Sequence, residues 1–301
     1  MPANIIAFTT PPDAPRWRRW LVLSPAARIV LFAAMLIGFG MLVHAVTGTL
    51  GWTVTSASPL QHALARLSVQ LLPALAGYLI LVRWIERRRV DELALGDIPA
   101  LGTAGLIGGA VLFSLVVAVL WLAGSYHVIG THPHVDWLPA VLVAGIGAGI
   151  GEEIVVRGVL FRIVEEGLGS WWALVVSALF FGAAHLANPA ATLWSSAAIA
   201  ISAGMLLALV YAVTRSLWAC IGLHAAWNIM QGTVYGIPVS GTKANGWLVS
   251  YRTGPDWLSG GAFGAEASVM ALALGLIVSS ILLVVALRRH SLVPPAWRRS
   301  R

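Results

Sequence analysis

The sequence predicts an all-α, polytopic membrane helix bundle of about eight transmembrane helices with both termini cytoplasmic. Three observations predict it. Hydrophobic residues make up 58 % of the 301-residue chain and charged residues only 10 %, with a mean hydropathy of +0.84; that leaves too little polar surface to cover a water-soluble globule. Apolar stretches near the ~20 residues needed to cross the hydrocarbon recur along the whole chain. The basic residues, finally, gather on alternate connections between those stretches.

The elements follow in order. A basic tail, 1–28, precedes a first apolar stretch over 29–46. Arginines before an apolar run imitate a signal peptide, but the run is long and its exit, Val43-His44-Ala45-Val46, is a poor cleavage site, so a retained first span is expected. Stretches at 63–85 and 103–124 complete an accessory segment, 29–136. Those at 137–160, 171–187, 193–213 and 217–235 form a core over 137–235, the last two separated only by Thr214-Arg215-Ser216. A Gly-rich outer loop, 236–266, leads to a final span at 267–287 and a basic tail to residue 301. No internal repeat of the inverted kind used by transporters is apparent.

The net charge of +7 is explained by topology. Arg16, Arg18, Arg19 and Arg28 precede the first stretch; Arg83, Arg87, Arg88 and Arg89 follow the second; Arg162 and Arg215 follow the fourth and sixth; Arg288, Arg289, Arg298, Arg299 and Arg301 follow the last. Threading eight spans puts all of them on one side, the cytoplasmic one, while the opposite loops carry only Lys243 and Arg252. The partners this implies are anionic membrane lipids, not nucleic acid. Tryptophans near the ends of stretches, such as Trp17, Trp20, Trp84, Trp171, Trp172 and Trp218, fit interfacial belts. The single cysteine, Cys220, excludes a disulfide framework and reads as a packing residue. His44 and His62 read as packed residues, and His127, His132 and His134 as a solvated turn.

Chemistry concentrates in the core. Gly151-Glu152-Glu153-Ile-Val-Val-Arg157 places three ionisable groups in an apolar stretch, where a charge costs about 2.5–3.5 kcal/mol by insertion scales, so such residues are functional candidates. Positions four apart share a helix face. Glu153 and Arg157 can therefore form an i, i+4 pair in its favourable orientation, which leaves Glu152 on another face as a candidate general base whose proton affinity a low dielectric would raise. Phe181 and His185 share a face of the fifth stretch, and His224 and Asn228 one of the seventh. Histidine can share base duty, and His224 with Asn228 can donate to an oxyanion. These residues suffice to hydrolyse an amide bond, and they also supply enough O and N groups for zinc. Glycines 145, 147, 149 and 151 lack the ending of a phosphate loop and read as helix-packing positions.

The three motifs Glu-Glu-x-x-x-Arg, Phe-x-x-x-His and His-x-x-x-Asn, in that order on successive apolar helices over 137–235, resemble those of the CPBP intramembrane proteases. That family, also called Abi, includes CAAX prenyl endopeptidases and bacteriocin-processing or immunity proteins. The resemblance implies Glu152 as catalytic glutamate, Glu153 and Arg157 as its accompanying acid and base, His185 as the histidine that helps activate water, and His224 with Asn228 as an oxyanion pair. It implies a multi-pass protein of the cell (inner or plasma) membrane that cuts a membrane-anchored peptide or protein, prenylated or leader-type. The family is described both as metalloprotease and as metal-free. Zinc, if used, would fall to Glu152, His185 and His224; the absence of His-Glu-x-x-His and the weakness of asparagine as a zinc ligand favour a water activated by Glu152 and His185. The alternative function is a non-catalytic immunity factor, scaffold or transporter component that keeps the polar cluster for packing or ion passage.

Depth constrains the site. At 1.5 Å per residue Glu152 lies about 15 Å from Arg162 and His224 about 14 Å from Arg215, but His185 lies about 22 Å from Ser170. The fifth helix is thus expected to tilt, or Trp171-Trp172 to stand above the interface. A water-filled cavity opening to the cytoplasm or sideways into lipid is expected beside Glu152.

Overall fold

A computed structural model describes residues 6–299; of the residues discussed, Arg301 lies outside these. Seven helices in it are long and apolar enough to cross a membrane: α1 Pro25–Thr49, α2 Pro59–Ile85, α3 Leu95–Leu122, α4 Trp137–Leu168, α5 Ser170–Ala187, α6 Leu193–Thr214 and, last in the chain, α8 Val269–Arg288. The eighth expected span is also helical. This is α7, Leu217–Asn228 continued by a wider turn over Ile229–Val234; His224, Asn228 and Gln231 make it less apolar than the others. The chain is an integral membrane helix bundle.

Local chemistry sets several helix starts. Ser24, Ser58 and Ser268 cap α1, α2 and α8 by accepting the backbone N–H three residues on, with Pro25 and Pro59 in the first turns, where a missing N–H costs nothing. Gly169, at φ +84°, breaks α4 from α5; a Cβ there would meet Val293 O and Pro295 N at 2.8 Å. Arg215 takes the left-handed conformation at φ 57° and ends α6. Backbones approach closely where side chains are absent: a Cβ on Gly105 would lie 2.3 Å from Ala219 O and one on Gly109 2.2 Å from Leu223 O. This Gly-x-x-x-Gly face of α3 therefore fixes the depth and rotation of α7 and of His224 on it.

Two details add to the expected bundle. The predicted all-α membrane bundle stands, and it also carries a small two-stranded antiparallel sheet, β1 Tyr126–Thr131 with β2 Leu248–Arg252, paired Tyr126 to Arg252 and Thr131 to Leu248. The strands join the α3–α4 loop to the 236–266 loop, and the His127 ring stacks on Tyr251 and lies 3.0 Å from Thr253 Oγ1. Secondly, α4 continues to Leu168, so Arg162 is not at a helix end. Measured from Leu168, Glu152 lies about 24 Å in, matching His185 at about 22 Å from Ser170, and no special tilt of α5 is required. His44, read as packed, is exposed on α1.

Arg162 instead enters a buried ionic cluster at the end of the bundle that holds both tails. Glu86 Oε1 accepts from Arg28 Nη1 at 2.7 Å and from Arg162 Nη2 at 2.9 Å. Glu86 Oε2 accepts from Arg88 Nε at 2.8 Å. Arg162 also donates to Glu166 at 3.0 Å, and Arg28 reaches the same carboxylate. Burial pushes the Glu86 carboxyl up, but Arg162 and Arg28 outweigh burial and hold it below the usual carboxylate range. Its contribution is thus complete above the ordinary carboxylate pKa and is lost as pH falls through the lowered folded value. Glu86→Gln is expected to leave Arg28, Arg162 and Arg88 with one carboxylate fewer, each keeping Glu166 or Glu92, and to cost about 1.5–3 kcal/mol in unfolding of the detergent-solubilised protein.

Candidate active site

The acids sit where α4 is squeezed between two helices. Val141–Gly147 and Ile154–Phe161 wind as wider, π-type turns, and Ala148–Glu153 between them is regular α-helix; such widened turns recur at functional sites. Glycines 145 and 149 face α7, meeting Ile229 and Ala225, whereas 147 and 151 face Gln70 of α2. A Cβ on Gly151 would lie 2.6 Å from the Gln70 carbonyl oxygen, a backbone atom that cannot simply turn away. Gly151→Ala is expected to push α2 from α4, lowering stability by about 1–3 kcal/mol in the same unfolding measurement.

The two glutamates then diverge as helical spacing expects. Glu153 is fully buried. Arg157 Nη1 donates to both its oxygens at 2.9 and 3.0 Å, and Arg157 Nη2 donates to Gly204 O on α6 at 2.9 Å. The pair is also a triad, which sequence spacing did not reveal: His224 Nδ1 lies 2.9 Å from Glu153 Oε1. With Glu153 ionised and held by Arg157, Nδ1–H is the donor. His224 Nε2 is left 4.0 Å from Glu152 Oε2, a gap that one water can bridge.

Glu152 itself is not sealed in apolar surroundings, as the argument for a raised proton affinity assumes. Its side chain is 40 % exposed and lines a cavity of about 450 Å³ walled by α1, α2, α4 and α5, including Gly40, Gln70, Pro73, Val155 and Phe180. Gly40, Gln70 and Gly151 lie well inside their helices, so the cavity lies at mid-depth. Its wall residues Val69 and Phe180 are exposed, which favours a sideways mouth. Among the described residues, the only titratable ones on its wall are Glu152 and His185.

His185 opens the final turn of α5. Its Nδ1 lies 2.7 Å from Phe181 O, so Nδ1–H donates and Nε2 keeps its lone pair. Phe181 is the common wedge: its ring contacts His185 and His224 at 4.7 and 5.9 Å between centroids and carries the Arg157 guanidinium at 4.8 Å. Asn228 donates Nδ2–H to Ala144 O at 2.9 Å and lines a second, smaller cavity of about 30 Å³ with His185, His224, Ser240 and Glu266. His185 and Phe181 border both cavities. The two cavities thus meet at His185 and Phe181, and His224, on the wall of the smaller, lies with Nε2 4.0 Å from Glu152 Oε2.

Sequence reasoning missed Gln70 and Glu266. Gln70 carries no charge and its Oε1 is buried without a partner; nothing in its neighbours marks it. Glu266 offered a faint signal, a lone acid at the edge of the final apolar stretch. No group of three or more His, Cys, Asp and Glu among the described residues is placed to hold a metal. Of the residues expected to hold zinc, His224 gives Nδ1–H to Glu153, which leaves its Nε2 free 4.0 Å from Glu152 Oε2, and His185 likewise keeps Nε2 free.

Residues 134–230 match the family model described as Rce1-like, type II CAAX prenyl endopeptidase. No curated protein matches the chain. The matched segment contains Glu152, Glu153, Arg157, Phe181, His185, His224 and Asn228, while Gln70 and Glu266 lie outside it. Over residues 134–230 of its membrane bundle, about a third of its length, the chain is thus similar to the Rce1-like type II CAAX prenyl endopeptidases.

Proposed function

We propose that this chain hydrolyses a peptide bond of a membrane-anchored peptide or protein by means of a water activated by Glu152 and His185. The observation that carries the reading is the cavity of about 450 Å³ whose largely apolar walls present, among the described residues, two titratable groups, Glu152 and His185. A carboxylate open to such a cavity takes a proton from water as its oxygen adds to the scissile carbonyl. The oxyanion so formed accepts hydrogen bonds from the remaining Asn228 N–H and from His224 when both its nitrogens are protonated. The proton then passes to the leaving nitrogen, the C–N bond breaks, and a carboxylate and an amine result. Glu153 and Arg157 hold His224 in register and take no proton. A mouth between helices suits a substrate that arrives within the lipid, and walls such as Leu36, Val155 and Phe180 suit an apolar chain.

The test uses the full chain in liposomes with two internally quenched peptides, one farnesylated at a C-terminal CAAX sequence and one an unprenylated membrane-anchored leader. Cleavage of either, located by mass spectrometry, supports the reading and selects the substrate class. Membrane peptides from cells carrying wild-type or Glu152→Gln protein provide the unbiased comparison. Identical peptide sets and no cleavage of either probe overturn it in favour of a scaffold or a transporter, the latter read as solute flux.

A further inference from the structure

The 236–266 loop delivers a third carboxyl to the site. Glu266, 6 % exposed, stands just before α8. Its Oε1 accepts the Ser240 N–H at 2.5 Å, and its other oxygen accepts no hydrogen bond from the described residues. The loop is built to make that contact. Ser240 holds a left-handed backbone at φ 46°, a conformation that persists where surroundings over-determine it. Around it, Gly241 N donates to Phe263 O at 2.7 Å and Gln231 Nε2 donates to Pro238 O at 2.6 Å. Gly264, at φ +137°, leaves no room for a Cβ against Pro238 O at 2.3 Å.

Glu266 shares its cavity of about 30 Å³ with His185, His224, Asn228 and Ser240. That is room for a buried water, with enough polar partners to hold it. No direct His–Glu266 ion pair forms within 4.0 Å. The second oxygen of Glu266 is not sealed off, since the residue borders this cavity, and a water there can donate to it.

We propose that Glu266 is a positioning residue of the hydrolytic site: through one water in this cavity it holds the imidazoles of His185 and His224 from the side that Glu152 does not line. The assignment rests on the reading of these histidines as working parts of the site. It makes the loop outside the family core a component of the machinery, since the loop must be docked for the histidines to be set. Burial pushes the Glu266 carboxyl up, and His185, the Ser240 N–H and His224 oppose that push. Within the loop, Arg252 and Asp256 are the remaining nearby charges, Arg252 donating to Ser259 O at 2.7 Å.

The test needs no substrate. Full-length protein in detergent is treated with diethyl pyrocarbonate at neutral pH, and modification of each histidine is followed by peptide mass spectrometry. Glu266→Gln keeps the volume and an oxygen for Ser240 N–H. It is expected to speed modification of His185 and His224 by about threefold or more, because both imidazoles lose a holding partner and a nearby anion, while His127 on the far sheet reacts as before. Glu266→Asp, which keeps the charge at shorter reach, is expected to fall between. Unchanged or slower modification of both histidines in both variants overturns the proposal and reduces Glu266 to a loop anchor. If Glu266→Gln does not fold, Glu266→Asp alone decides on the same criterion. In the cleavage assay the same change is expected to lower kcat about 10- to 100-fold with little change in KM. Failure of wild-type protein to cleave either peptide counts against the protease reading and leaves the histidine result standing.

Discussion

Glu152→Gln is expected to reduce peptide cleavage by about 10²–10⁴-fold or more while the protein inserts and unfolds like the wild type. The expectation rests on the contrast between two adjacent carboxylates. Glu152 accepts no hydrogen bond from the described residues, is 40 % exposed to the large cavity, and has as its nearest cation candidate His224 Nε2 at 4.0 Å. Replacing an exposed carboxylate by its amide isostere away from any packed network changes stability by about 0.5 kcal/mol or less. The same replacement puts a very weakly basic amide oxygen where a carboxylate would take the proton of the attacking water. Activity by product analysis and thermal unfolding in detergent are to be measured on one preparation. A variant that is both inactive and unfolded would show Glu152 to be part of the scaffold, and one that keeps activity would move the base elsewhere, with His185 the next group on the cavity wall.

Much of this division was legible in the sequence. A period of 3.6 residues fixes which side chains share a helix face, so the separation of Glu152 from the Glu153–Arg157 pair, and the pairing of Phe181 with His185, follow from spacing alone. The existence of the helices was legible for a similar reason, since lipid tolerates few polar side chains over about 20 residues, but not every limit, as the continuation of α4 to Leu168 shows. Partners across helices were not. Arg28, Arg162 and Arg215 read as lipid-facing topology signals, yet Arg28 and Arg162 donate to Glu86 and Arg215 to Glu165. These acids lie 58, 76 and 50 positions away, and no local period reports such a distance. Trp218, read as part of an interfacial belt, is only partly exposed and hides its ring N–H without a partner. Glu266 escaped because loops have no period: only the fold of residues 236–266 over the bundle brings it to His185 and His224. Strands β1 and β2 escaped because each is short and finds its partner more than a hundred residues away.

The triad of Arg157, Glu153 and His224 separates stability from function in a way that two single variants and their combination can read. Arg157→Met leaves the Glu153 carboxylate with only His224 as partner, and Glu153→Leu leaves a guanidinium over Phe181 with only the Gly204 carbonyl. Each uncompensated charge is expected to cost about 3–5 kcal/mol, because both side chains are fully buried. The double variant removes both charges and fills the space with apolar groups, an exchange that is often neutral or even stabilising. Its unfolding is therefore expected to return most of the way to wild type, well short of the sum of the single losses. Cleavage should not return with it. His224 Nδ1 loses the carboxylate that fixes its tautomer and ring plane, so Nε2 no longer points steadily toward Glu152, a misplacement that costs on the order of 10²-fold. A double variant that regains both stability and activity would show that the ion pair serves the fold alone and that His224 keeps its place without Glu153. Stability without activity would show that the buried acid is retained in the bilayer for the histidine it holds, and that the arginine is retained to let the acid remain there.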